Sequence, residues 1–325
     1  MRVNRERMPS SSPIIVLDSG LGGLTVAREI RRRLPREDVL YFGDTARLPY
    51  GSKTADTVST FVRQIVSYLL RHRPKHVVLA CNTATALAMT PLRATFPDLP
   101  VSGVIEPGAK AAVVAAGARP VPTIAVIATE ATIRSRAYER AIHRRRHHAR
   151  LLLQATPLLV PIIEEGRGED DPLVRLALKQ YLLPLAKHKP DVLVLGCTHY
   201  PIFKSLIARM LGPSVRVIDS AQQCAEDVAR RLRMAGLLNE ELAAEQVREA
   251  PESTPDVELA KGPAWAGGDL RCFVTDDPTR FGKLAPRFLG FDIPEPTWVS
   301  PDELYATPLP AVARAEEPMR LSVPA

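Results

Sequence analysis

The amino-acid sequence predicts an α/β protein: two doubly wound parallel-sheet domains related by pseudo-symmetry, with the functional site in the cleft between them. Three observations carry this reading. Short apolar runs rich in β-formers alternate with amphipathic stretches of helical period along most of the chain. Their βαβα order calls for parallel strands whose faces are covered by helices. An apolar strand ending in a cysteine, with a threonine just beyond, also occurs twice, at Cys81 and Cys197. Periodicity alone is compatible with one closed barrel, and it is this echo that favours two related halves.

Taken in order, strands are expected at 14–17, 39–42, 77–80, 101–105, 124–127, 151–153, 192–195 and 215–218, with a last one at 270–275. Helical patterns fall between them at 24–34, 57–71, 83–95, 173–187 and 221–235. The acidic, proline-containing stretch 239–261 reads as an insertion or long connection before the last strand. Beyond Gly290 the chain is rich in proline, which suits an extended or disordered tail with little chemistry.

At 325 residues the chain is long enough for two medium-sized domains. Its 46% hydrophobic and 24% charged residues match ordinary globular proteins and exclude disordered, collagen-like and membrane classes. No apolar run approaches the roughly 20 residues of a membrane helix. The polar, basic first dozen residues lack the apolar core of a secretion signal, so a cytoplasmic protein is expected. Four scattered cysteines, Cys81, Cys197, Cys224 and Cys272, read as free thiols without zinc-site spacing. The net charge of +7 is concentrated at 134–150, where seven arginines face the single acid Glu139. That segment reads as a solvated helix face, since no aromatic interleaving or nucleic-acid motif accompanies it.

Ligands of open α/β sheets sit beyond the carboxyl ends of the strands, so the residues there are the candidates for chemistry. The first strand runs into DSGLGGLTV, placing Asp18 and Ser19 before a glycine turn whose amides could hold an anion, although no phosphate-loop or dinucleotide spacing is present. The second runs into GDTARLPYG, where Arg47 and Tyr50 supply polar reach. The third runs into ACNTATA, and a helix start there favours a thiolate at Cys81. A lone buried cysteine is more commonly packing than catalysis. The fourth place, LGCTHYP, repeats the third and changes that balance; His199, two residues on, is close enough to act as a base or to orient a substrate. Cys224 and Cys272 lack such a setting and read as packing residues.

Two thiols facing one another without a metal, flavin or disulfide suit inversion at an acidic carbon. A proton leaves one face, a planar carbanion forms, and a proton returns on the other, so a base and an acid must stand on opposite sides. Fixed donors must also stabilise the developing charge, a task suited to Asn82, Thr83, Thr198 and helix-start amides.

At these residues the chain closely resembles the glutamate racemase family, bacterial enzymes that supply D-glutamate for peptidoglycan. The resemblance runs from about 13 to 289 through DSGLGGLTV, FGDTARLPYG, ACNTATA, GVIEPGA, PLLVPIIEEG, LGCTHYP and VTDDP. It implies cofactor-independent, metal-free racemisation of glutamate with Cys81 and Cys197 as the catalytic thiols. Asp18 would support Cys81, while Glu164 and His199 would support Cys197. Asp18, Ser19, Tyr50, Gly51, Asn82, Thr83, Thr198 and His199 would bind substrate, Cys81 taking the α-proton of D-glutamate and Cys197 that of L-glutamate. The resemblance further implies a homodimer. It also implies a first domain of 13–105 with 216–298 and a second of 106–215, flanked by a disordered extension at 1–12 and a tail at 299–325. Ala128-Thr129 and Thr156-Pro157 depart from the family's frequent Gly-Thr and Cys-Pro, near the pocket. Rival readings are a racemase of aspartate or another amino acid, and a redox-sensitive or nucleic-acid-binding protein without catalysis.

Overall fold

The computed structural model describes residues 9–239 and 267–310. The chain opens with β1 (Ile14–Asp18), α1 (Leu24–Arg33), β2 (Val39–Gly43), α2 (Ala55–Leu69), β3 (His76–Leu79), α3 (Asn82–Thr95) and β4 (Val101–Gly103). The alternation then repeats through α4 (Ile105–Ala115), β5 (Thr123–Ala128), α5 (Glu130–Arg134), α6 (Ala137–His143), β6 (Arg150–Ala155) and α7 (Leu159–Glu164). It continues with α8 (Pro172–Ala186), β7 (Val192–Gly196), α9 (Lys204–Leu211) and β8 (Arg216–Asp219). Helix α10 (Ala221–Ala235) packs back on α1. The first half is completed by β9 (Leu270–Val274), α11 (Pro278–Leu284), α12 (Pro286–Leu289), β10 (Thr297–Trp298) and α13 (Pro301–Ala306).

Among the described residues every strand pairing is parallel, in two sheets ordered β10-β9-β2-β1-β3-β4 and β6-β5-β7-β8. The order β4-β3-β1-β2 is repeated strand for strand as β8-β7-β5-β6, and β9 and β10 are additions outside β2. Parallel strands buried on both faces must be apolar throughout, which is why β1, β2 and β7 read as continuous hydrophobic runs and are wholly buried. In each half the opening strand lies between neighbours reached in opposite directions, so the loops at its carboxyl end part and leave a crevice. Cys81 follows β3 and Cys197 follows β7, which are equivalent strands.

The largest apolar cluster joins Ile14, Val16 and Val78 of the first sheet to Leu193, Leu195 and Phe203 of the second half, so one core ties the halves together. No helix among the described residues is long and apolar enough to cross a membrane.

Several details differ from the sequence expectation. Strand β8 pairs with β7, setting Val217 and Ile218 beside Leu193 and Val194, so residues 216–219 stay with the second half. The tail is not wholly extended: β10 adds to β9, Ser300 caps α13, and Val299 and Leu304 are buried. Two apolar residues among prolines are enough to anchor it. The arginine-rich stretch is not one solvated helix face but α5, α6 and the following turn, with Arg144 and Arg145 both paired to Glu106. Most of the expected insertion at 239–261, the first eight residues of the extension and the tail beyond residue 310 lie outside the described residues.

Candidate active site

Strand β3 delivers Cys81 to the N-cap of α3, where its sulfur accepts the Ala84 N–H at 3.5 Å and donates toward the Ser19 hydroxyl at 3.6 Å. A helix start favours a thiolate, but here burial wins. Burial first, and the Asp18 carboxylate second, push the Cys81 thiol up to about 12, against the opposing pull of the Ala84 and Ser19 hydrogen bonds. The ready thiolate expected from sequence is therefore corrected to a resting thiol.

Strand β7 delivers Cys197 to a tighter turn, which passes into a short 3₁₀ segment at Tyr200–Phe203. The Cys197 sulfur lies 3.7 Å from Nδ1 of His199, whose Nε2 lies 2.9 Å from Oε1 of Glu164 at the end of α7. Burial alone would depress the His199 pKa, but the hydrogen bonds and charges of Cys197 and Glu164 hold it well above its ordinary value. A Cys-His-Glu relay thus stands in the second half.

Asp18 ends β1 and is fully buried. Its carboxylate accepts the Gly20 N–H at 3.0 Å and the Thr198 hydroxyl at 3.3 Å, linking the first half to the loop that carries Cys197. Burial pushes its carboxyl up, against the His199 charge and the Gly20, Gly23 and Thr198 hydrogen bonds. The glycine turn after it serves close approach: a Cβ at Gly22 would sit 2.4 Å from the His199 ring and 2.5 Å from the Thr198 hydroxyl. Gly51 is pressed against Thr129 in the same way, across the cleft.

Ser19, Tyr50, Gly51, Asn82, Thr83, Thr198 and His199 all border one cavity with the two cysteines. Its volume is about 30 Å³, room for roughly two waters and not for an amino acid. Asp18 and Glu164 stand behind this wall through Thr198 and His199. Tyr50 reaches it with less than expected, because its hydroxyl is donated to Asp44; Arg47 is likewise spent on Asp44 and Gln64. Buried Asp44 draws both inward, and nothing in GDTARLPYG distinguishes that from reaching outward. Thr156, one of the departures, is buried and bonded to Tyr200 rather than facing the cavity.

Two residues escape the sequence reading. Thr129 borders the cavity and closes a hydroxyl triangle with Thr83 and Thr132, the three oxygens 2.9 to 3.2 Å apart. It follows β5 as Ser19 follows β1, so pressing the internal repeat one residue further would find it. Tyr138 donates to Oδ1 of Asn82 at 2.8 Å and leaves the buried Nδ2 of Asn82 without a protein partner. No local signal in the sequence marks Tyr138.

Comparison with known proteins agrees with this geometry. Residues 21–228 match the family model described as Asp/Glu/Hydantoin racemase. A glutamate racemase of Syntrophus aciditrophicus is 41% identical over 286 residues, spanning 88% of this chain and 96% of that protein. Among solved structures, a glutamate racemase of Bacillus anthracis superposes with a TM-score of 0.78 at 37% identity, covering 90% of this chain and 98% of its own. One of Francisella tularensis in complex with D-glutamate gives 0.75 at 33%, covering 90% and 98%. With its twofold strand repeat, its paired strand-end thiols and this breadth of likeness, the chain belongs to the aspartate/glutamate/hydantoin racemase family, among the glutamate racemases.

Proposed function

We propose that this cleft interconverts L- and D-glutamate by passing the α-proton between two thiols, without a cofactor. The observation that carries the reading is that two buried thiols, from equivalent strand ends of opposite halves, line one cavity. Toward L-glutamate, Cys197 takes the α-proton while His199 and Glu164 hold charge behind its sulfur. The carbanion is reprotonated on its other face by Cys81, which rests as a thiol. The Ala84 N–H and the Ser19 hydroxyl then stabilise the Cys81 thiolate, and the reverse direction starts from that state. Asp18, whose charge is felt at Cys81, is assigned to that arm as the group that holds or moves a proton. The unpartnered Nδ2 of Asn82 and the hydroxyls of Thr83 and Thr198 are the donors for the substrate's carboxylate.

A cavity this small admits glutamate only if the halves part, so the two strand repeats act as two domains: 13–104 with 220–306, and 105–219. The Francisella tularensis relative's complex with D-glutamate supports the choice of substrate. A cytoplasmic enzyme supplying D-glutamate for peptidoglycan, working as a homodimer, completes the reading. Circular dichroism of L- or D-glutamate with chelator-dialysed protein tests it: the signal of either enantiomer should decay to zero with nothing added. An unchanged signal overturns the reading, and decay with aspartate but not glutamate moves it to the aspartate branch.

A further inference from the structure

We propose that the outer face of α8 is a self-association surface, on which a second copy of this chain docks antiparallel across a twofold axis. The inference rests on the homodimer of the reading above and is independent of its chemistry. Helix α8 already buries Val174, Leu178, Tyr181 and Leu185 against its own half. On the opposite side it also carries Leu173, Leu176 and Leu183, exposed by 44%, 64% and 50%. Solvated helices put polar residues there. Isolated exposed leucines need no explanation, but an ordered row of them marks a surface to be covered. With Gln180 these residues follow the 3-4-3 spacing of a coiled-coil seam. Leu158, half exposed, widens the patch, its N–H lying 3.4 Å from the Tyr181 hydroxyl.

The seam is its own complement when reversed. The midpoint of 173 and 183 is 178, and so is that of 176 and 180. A twofold axis at that position sets Leu173 against Leu183 of the second copy and Leu176 against its Gln180, as an isologous contact requires. The flanks agree. Glu169, Asp170 and Asp171 precede α8, and Lys187, His188 and Lys189 follow it, so antiparallel docking brings acid to base where parallel docking would set like against like. Asp170 pairs with Arg175 yet keeps its carboxylate in water, and Lys187 and Lys189 are exposed. The stretch 240–266 is joined at both ends in the other half, where Asn239 bonds to Arg36 and Glu37 and Gly268 to Pro35, at the foot of β2. That favours a second copy over the chain's own segment as the occupant.

Sedimentation equilibrium of the full chain tests the proposal. Between roughly 1 and 100 µM the parent should pass from monomer to dimer, and Leu176→Glu with Leu183→Glu should raise the dissociation constant about 100-fold. Lys187→Glu should weaken the dimer by a few fold, and adding Asp170→Lys to the same chain should restore it. The register has its own readout: Leu176→Cys mixed with Gln180→Cys should form a disulfide-linked dimer on oxidation that neither gives alone. A parent that stays monomeric, a dimer indifferent to the glutamates, or cross-linking of Leu176→Cys to itself would each overturn the proposal.

Discussion

The two halves share strand order and the position of their cysteine, five residues beyond the first residue of β3 or β7, yet they surround it differently. Cys81 caps a long helix beside an acid and rests as a thiol; Cys197 enters a 3₁₀ turn and faces a histidine backed by Glu164. Asn82-Thr83 comes after one and Thr198-His199 after the other. The same backbone frame is thus tuned into two different proton carriers by one or two side chains, because a thiol's protonation depends on burial and neighbouring charge rather than on fold.

The sharpest way to break that comparison is to remove one carrier. Cys81→Ala and Cys197→Ala should each lower racemisation by about 1,000-fold or more, since inversion needs both faces. Each variant should keep half of the chemistry. In deuterium oxide Cys81→Ala should exchange the α-proton of L-glutamate only, and Cys197→Ala that of D-glutamate only, observed by NMR without inversion. Exchange of both enantiomers by one variant would mean that a further base serves both faces. Cys224→Ala and Cys272→Ala, whose thiols lie in the apolar core, should turn over like the parent.

A second test asks whether the relay belongs to one half alone. The equilibrium constant of racemisation is one, so kcat/KM must stay equal in both directions in any variant and cannot report the asymmetry. The exchange half-reactions can. In a Cys81→Ala background, His199→Asn should slow exchange of L-glutamate by about 100-fold. In a Cys197→Ala background the same change should alter exchange of D-glutamate only a few fold. Equal losses would make His199 a binding residue rather than a partner of Cys197.

Much of this is legible in the sequence because buried parallel strands leave continuous apolar runs, and the residues just beyond such a run lie at the sheet's active edge. Cys81, Cys197 and His199 stand out on that ground alone. The features that escape depend on long-range packing. Tyr138 reaches Asn82 from 56 residues away, and the two-residue strand β10 is held by Val299 rather than by any periodicity of its own. Tyr50 and Arg47 mislead because the buried acid that claims them, Asp44, reads locally as one more loop residue.

Asn82 and Tyr138 sharpen the comparison at a smaller scale, since one half orients a donor of the other. Asn82→Ala should reduce kcat/KM by about 10- to 100-fold, the cost of a hydrogen bond to a charged group. Tyr138→Phe, which frees the amide to turn, should cost about 3- to 10-fold. Both should act mainly through KM and equally on the two enantiomers in steady-state assays, because each enantiomer presents the same carboxylate. A Tyr138→Phe enzyme with unchanged KM would show that Asn82 needs no such orientation.

The smallest expected effect is one of stability, at a pair of equivalent positions with no part in the chemistry. His76, the first residue of β3, is hydrogen-bonded to Ser102 of β4 at 2.8 Å; the equivalent pair in the second half is Val192 and Ile218, wholly apolar. Burial, with the Arg231 charge adding and Asp227 opposing, depresses the His76 pKa from 6.5 to about 4. The folded chain therefore holds this ring neutral where the unfolded chain protonates it. Stability from this site is complete above pH 6.5 and is lost as the pH falls from 6.5 toward 4, by about 3 kcal/mol at the lower end. Replacing the pair by its apolar counterpart, His76→Val with Ser102→Ala so that no hydroxyl is orphaned, should flatten that part of the profile. Denaturant midpoints measured from pH 7 to pH 4 would show the parent falling more steeply than the double variant. Parallel curves would mean that the His76 pKa differs little between the folded and unfolded chains, and the two halves would then be alike at this position in their response to acid.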